Sequence, residues 1–134
     1  SHRPFDLITI MLGTNDLKCR FSVSAFDIAE SVGVLVRQVQ QSQAGPQENA
    51  PIPLLIAPPP LAKLEEFEEM FKRGNEKSQL FGKYYQKKAL EMGCQFLDAA
   101  EYIQSSDLDG IHFEREEHRK LGEAVGKKIK QIFL

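Results

Sequence analysis

The sequence has 134 residues, of which 42% are apolar and 27% charged, and these values are ordinary for one globular domain. The formal net charge is −2 with both signs mixed along the chain, which argues against a nucleic-acid binder because such proteins carry a basic patch. No apolar run approaches the roughly 20 residues that span a bilayer, and no signal peptide is recognisable. Cys19 and Cys94 form neither a disulfide framework nor a zinc cluster, so we expect reduced thiols in a cytoplasmic protein.

The first part of the chain predicts a strand followed by a helix. Residues 5–12 are apolar and β-branched in the middle, which is typical of a strand buried on both faces of a parallel sheet. Ser24 can cap a helix, with Asp27 three positions later as a near capping box. Apolar side chains then recur at helical spacing, namely Ile28, Val32, Leu35, Val36 and Val39. Residues 41–51 indicate a surface loop.

The rest of the chain predicts two further strands that alternate with helices. The strands are expected at 53–57, where three prolines end the first of them, and at 94–97. Helices are expected at 64–71, 75–92 and 115–132, the last with Glu114 as an unusual N-cap. This alternation predicts an α/β fold, in which a parallel sheet is covered by helices on both faces.

Two polar motifs follow predicted strands. Gly13-Thr14-Asn15-Asp16 follows the first strand, and Asp109-Gly110-Ile111-His112 lies in the loop after the third. Ligands bind outside the carboxyl ends of parallel strands, so we expect both motifs at one rim of the sheet. An asparagine side chain is a good oxyanion donor. A histidine beside a carboxylate is the usual base that activates a hydroxyl group.

Other interpretations of these residues stay open at this point. Either motif alone is also typical of a simple turn. A metal site built from Asp109, His112 and Glu114 is a further alternative, but it lacks the remaining ligands and outer hydrogen-bond partners of zinc sites. We therefore expect neither a metal nor a cofactor. Neither cysteine lies in a motif that would present a thiol nucleophile to a histidine.

Together the two motifs resemble the SGNH (GDSL-type) hydrolase family. The third block of that family, Gly-x-Asn-Asp, is matched by Gly13, Asn15 and Asp16, and its fifth block, Asp-x-x-His, by Asp109 and His112. The segments IAPPP and DGIHF also look like the family, so the resemblance spans nearly the whole chain. Within the family the chain is most similar to arylesterases and short-chain acyl-esterases.

The resemblance implies a fold and a reaction. The fold would be a flavodoxin-like three-layer α/β/α sandwich whose five parallel strands have the order 2-1-3-4-5. The reaction would be hydrolysis of a small-molecule ester through an acyl-enzyme, as in carboxylesterases, arylesterases, lipase-like acylhydrolases and deacetylases. Asn15 would be the oxyanion donor, His112 the general base and Asp109 the group that orients it, with Gly13 and Asp16 in support.

The family's first block, the nucleophilic Gly-Asp-Ser, is not among these residues. None of the eight serines follows Gly-Asp. We therefore expect residues 1–134 to be the C-terminal portion of a single hydrolase domain, without its N-terminal strands and inactive alone. The alternative is a non-catalytic truncated form that acts as a binding or scaffolding module.

A missing first strand would leave the strand at 5–12 with a bare apolar edge. Such an edge pairs readily with another chain. We therefore expect either a bound N-terminal fragment or a homo-oligomer that pairs through this edge. The segment 61–75 is long enough to be a lid or an oligomer contact.

Overall fold

The computed structural model describes residues 3–134, which form a three-stranded parallel sheet flanked by helices. The sheet has the order β1-β2-β3, so β2 is central and pairs with both neighbours. The strands are β1 (Leu7–Ile10), β2 (Ile52–Ala57) and β3 (Gln95–Asp98). The helices are α1 (Ala25–Gln40), α2 (Gly74–Ser78), α3 (Phe81–Met92) and α4 (Arg115–Phe133).

Two apolar clusters show that the sheet is the middle layer of three. Successive side chains of a strand point to opposite faces. On one face Leu55 and Ala57 pack in a core shared with α1 and α3. On the other face Leu54 and Ile56 pack with Ala124 of α4. The predicted α/β/α sandwich is therefore confirmed for the three strands present.

Helix α1 forms as its sequence predicts. The Ser24 hydroxyl accepts a hydrogen bond from the Asp27 backbone N–H at 3.0 Å, which satisfies one of the free donors of the first turn. Ile28, Val32 and Val36 form the buried stripe of the helix. The last helix and the strand positions also agree with the sequence to within a few residues, except that the first strand is Leu7–Ile10 rather than 5–12.

Two helix predictions are wrong. The segment predicted as a helix at 64–71 has only a 3-10 turn, Glu65–Phe67, because Glu65 takes a left-handed φ of 49° that an α-helix does not contain. The predicted helix at 75–92 is instead α2 and α3. The Ser78 hydroxyl donates to the Asn75 carbonyl oxygen and accepts from the Leu61 N–H, so a contact distant in sequence holds the end of α2.

Helix α4 covers its face of the sheet thinly. Ala124 is its one fully buried residue, whereas Leu121, Val125, Ile129 and Ile132 stay half-buried. Thr9 of β1, whose neighbours Ile8 and Ile10 face the opposite cluster, is exposed. This layer is therefore incomplete beside the outer edge of β1. Among the helices of residues 3–134, none is both long and apolar enough to cross a membrane.

The central strand should dominate stability. Replacing Leu55, which is 0% exposed, by alanine should lower the free energy of unfolding by about 2–5 kcal/mol, since burial is lost and a cavity remains. The matched control is Leu90→Ala, because Leu90 is 77% exposed and its truncation should change stability by less than about 0.5 kcal/mol. Urea unfolding followed by circular dichroism measures both, and equal losses would contradict the placement of the core.

Candidate active site

The motif around Asn15 forms a tight turn at the carboxyl end of β1. Gly13 is buried with a φ of +133°, a conformation that favours glycine. A 3-10 turn, Thr14–Leu17, follows, and the Asp16 N–H donates to the Gly13 carbonyl at 3.1 Å. Leu17 is buried in the core and anchors the far end of the turn. Asn15 itself is exposed at the rim.

Asp109 and His112 are directly hydrogen-bonded in the loop between β3 and α4. One carboxylate oxygen of Asp109 accepts from the backbone N–H groups of Ile111 and His112, at 2.8 and 2.9 Å. The other oxygen lies 2.5 Å from Nδ1 of His112. When the imidazole is neutral, an ionised Asp109 places the ring proton on Nδ1 and leaves Nε2 as an acceptor. The His112 side chain is 76% exposed, so a reacting group can approach it.

The same contacts keep Asp109 ionised. The N–H of Ile111, the imidazole of His112 and the backbone N–H of His112, in that order, lower the pKa of the Asp109 carboxyl to about 2. The carboxylate is therefore charged at neutral pH. It can hold the imidazole in one orientation and stabilise the imidazolium that forms when Nε2 takes a proton.

A buried serine, which neither sequence motif includes, shapes this loop. The Ser106 hydroxyl donates to the Glu114 carboxylate at 2.5 Å and accepts from the Leu108 N–H at 3.0 Å. Its backbone N–H donates to the His112 carbonyl, and its carbonyl accepts from the Gly110 N–H, both at 2.7 Å. Ser106 thus closes the loop that carries the Asp109–His112 dyad.

The Glu114 side chain bonds the loop before α4 and does not cap the helix. It occupies the N-cap position of α4, but no side-chain capping hydrogen bond is made there. Its carboxylate instead accepts from Ser106. A polar Ser-Ser pair a few residues before Asp109 was the available sequence signal, but nothing in the sequence alone identifies Glu114 as its partner.

The loop after β2 supports the loop after β3. The Ala62 N–H donates to the Gly110 carbonyl at 2.9 Å, and the Ser105 hydroxyl donates to the Pro60 carbonyl at 2.8 Å. Gly110 has a φ of +79°, and a Cβ there would lie 2.5 Å from the Lys63 carbonyl oxygen, so no other residue fits. These bonds hold the two loops together at the rim.

The loop after β1 joins the same rim. The Cys19 N–H donates to the Met70 carbonyl at 2.8 Å, and Leu17 packs beside Gly74. Asn15 follows the carboxyl end of β1, and Asp109 and His112 lie in the loop after β3, so the parallel strands direct both motifs towards the same rim. Within residues 3–134 the Asn15 side chain forms no hydrogen bond with Asp109 or His112.

Cys19 is exposed and Cys94 is half-buried in the described part of the chain. Both cysteines are free, and burial raises the pKa of the Cys94 thiol, which disfavours its reactive thiolate. Residues 3–134 contain no group of three or more His, Cys, Asp or Glu side chains placed to hold a metal ion.

One family model and several solved esterases are similar to this chain. Residues 1–120 match the model of the GDSL-like Lipase/Acylhydrolase family. Est24, a carbohydrate acetylesterase from Sinorhizobium meliloti, is 39% identical with a TM-score of 0.92, over 98% of this chain and 63% of that one. The native aryl esterase of M. smegmatis is 38% identical with a TM-score of 0.91, over 97% of this chain and 62% of that one.

A putative arylesterase from Agrobacterium tumefaciens str. C58 is also similar, at 32% identity and a TM-score of 0.89, over 98% of this chain and 63% of that one. No curated protein matches the sequence. The chain spans less than two thirds of the length of each of these three solved proteins.

The pKa of the Asp109 carboxyl tests directly whether the three donors contact it. Because folding lowers its pKa, its contacts stabilise the fold above about pH 4 and are lost as the pH falls towards 2. A carbon-13 NMR titration of this carboxyl should show a midpoint near 2.

His112→Ala should raise that midpoint only in part, because the backbone N–H groups of residues 111 and 112 still donate. Asp109→Asn identifies the resonance by removing it. A midpoint near the ordinary value of about 4 in the unmodified protein would rule out the three-donor geometry.

Proposed function

The chain belongs to the GDSL-like lipase/acylhydrolase family and is similar to solved esterases, and from this premise we propose that it forms part of a serine ester hydrolase. The observation that carries the proposal is the Asp109–His112 pair, which is already joined at 2.5 Å with the imidazole open to solvent. Short acyl esters of sugars or aryl alcohols are the proposed substrates, since Est24 is named a carbohydrate acetylesterase and the M. smegmatis protein an aryl esterase.

The proposed chemistry has two halves. In the first, His112 Nε2 takes the proton of a serine hydroxyl while the serine oxygen attacks the ester carbonyl carbon. The side-chain N–H of Asn15 donates to the oxyanion, and the leaving alcohol departs with the proton from His112. In the second half His112 activates a water, which attacks the acyl-enzyme and releases the acid. Asp109 stays ionised throughout and stabilises the imidazolium.

The serine must come from outside these residues, because residues 1–134 contain no Gly-Asp-Ser. We propose that a segment carrying it pairs with the outer edge of β1. Within residues 3–134 this edge has no partner strand. A groove of about 580 Å³ runs along it, lined mainly by apolar side chains such as Ile8, Ile10, Leu35 and Val39. A parallel strand added there would end at the rim that carries Asn15 and His112.

A binding or scaffolding module is the alternative function. It would use the same edge of β1, since an apolar strand edge binds any compatible strand. However, a scaffold gives no reason for a carboxylate and an imidazole to be hydrogen-bonded at a strand-end rim. We therefore favour the hydrolase.

Replacing the base should abolish turnover in the full-length protein. We expect His112→Ala to lower kcat/KM for p-nitrophenyl acetate by about 10³-fold or more, because the serine loses its proton acceptor. His118→Ala is the matched control: His118 is exposed and contacts the ring of Phe113 instead of the dyad, so activity should persist. An unchanged rate in His112→Ala would exclude the proposed mechanism.

The edge of β1 can be tested by sedimentation. Residues 1–134 alone should self-associate, whereas addition of a polypeptide carrying Gly-Asp-Ser should give a defined complex and restore hydrolysis. A stable monomer at roughly tens of micromolar, with no binding of the added segment, would contradict the edge proposal. Intact mass and N-terminal sequencing of the natural protein identify the segment to add.

A further inference from the structure

A tyrosine lies directly beneath the turn that carries Asn15. Tyr85 of α3 is 0% exposed and packs on Phe81, with their ring centroids 5.1 Å apart. Its hydroxyl donates to the Leu12 carbonyl oxygen at 2.6 Å, although the two residues are far apart in the sequence. A side chain of the helical layer thus reaches the carboxyl end of β1.

This contact determines the path of the backbone before Asn15. The Leu12 carbonyl belongs to the peptide unit that joins Leu12 to Gly13, so the phenol fixes the orientation of that unit. A Cβ on Gly13 would lie 2.0 Å from the Tyr85 oxygen, well inside any real contact. Glycine is therefore required at position 13 both by its φ and by the hydroxyl packed against it.

Asn15 depends on this backbone for its direction. Its side chain forms no hydrogen bond within residues 3–134, so no neighbouring group aims the amide. The turn is held on one side by the Tyr85 contact and on the other by buried Leu17. Asn15 lies between these two fixed points, so a shift of the Leu12–Gly13 peptide would be transmitted to its amide.

The phenol can donate this hydrogen bond around neutral pH. Burial first, and then the nearby Asp16 carboxylate, raise the pKa of Tyr85 far above its ordinary value. The hydroxyl therefore stays protonated and remains a donor.

We propose that Tyr85 is a positioning residue for the reaction: its hydroxyl fixes the Leu12–Gly13 peptide and thereby aims the Asn15 amide at the oxyanion. This inference rests on the proposed hydrolase function and deepens it. A buried side chain of α3 would then contribute to transition-state stabilisation together with the residues at the rim.

The test compares two tyrosines that are adjacent on α3. Tyr85→Phe removes the donor, whereas Tyr84→Phe removes the same atom from a half-buried ring that packs edge-on against Phe26. In the full-length protein we expect Tyr85→Phe to lower kcat about tenfold with KM nearly unchanged, because transition-state stabilisation is lost. Tyr84→Phe should leave both constants unchanged.

A double-mutant cycle separates positioning from general stability. Asn15→Ala alone should lower kcat by about 10²–10³-fold. If Tyr85 acts through Asn15, adding Tyr85→Phe to Asn15→Ala should cause no further loss. Independent losses that multiply in the double variant, or a Tyr85→Phe enzyme with unchanged kcat, would overturn the proposal.

NMR tests the Tyr85–Leu12 contact without an activity assay. In the unmodified protein the Tyr85 hydroxyl proton should give a slowly exchanging resonance with a cross-peak to the Gly13 α-protons, and Tyr85→Phe should move the Asn15 side-chain amide signals. Absence of the cross-peak would refute the contact even if the variant failed to fold. A protein inactive on every ester but showing these signals would refute the proposed function and leave the positioning geometry standing.

Discussion

The parallel pairing of β2 with both of its neighbours is the constraint on which the rest of the molecule depends. β2 is buried from Pro53 to Ala57, so its register against β1 and β3 is fixed by the core on both faces. Because all three strands run the same way, the chain leaves each of them at one rim. Asn15 and the Asp109–His112 pair lie there as a consequence of sheet direction, before any contact between loops is made.

Main-chain groups make most of the hydrogen bonds that shape the loops at the rim. The Asp109 carboxylate accepts from two main-chain N–H groups besides the imidazole, and Ser106 closes the same loop through both its main chain and its hydroxyl. Each such bond contributes only about 1 kcal/mol net, but together they restrict a loop that has little apolar surface to bury. The Asp109–His112 pair is held by these bonds while the imidazole stays exposed, which suits the proposed role of His112 as a base.

The sequence predicts what is repeated locally and misses what depends on distant contacts. The strands, α1 with its Ser24 cap and the two rim motifs follow from apolar spacing and turn residues. The break between α2 and α3 does not, because it depends on Ser78 meeting Leu61, and the helix predicted at 64–71 fails at a left-handed Glu65. Ser106 and Tyr85 resemble ordinary loop and core residues until Glu114 and the Leu12 carbonyl are seen beside them.

The hydrogen bonds between Ala62 and Gly110 and between Ser105 and Pro60 connect the loop after β2 directly to the loop after β3. A ligand that binds against the first loop and displaces it must also displace the second or break these bonds. In the proposed hydrolase, ligand binding at the loop after β2 would therefore be linked to the orientation of His112, because these bonds connect the two loops. In that proposed enzyme, a contact that selects the acyl or alcohol group at the β2 loop would change kcat as well as KM, even though the contact lies away from His112.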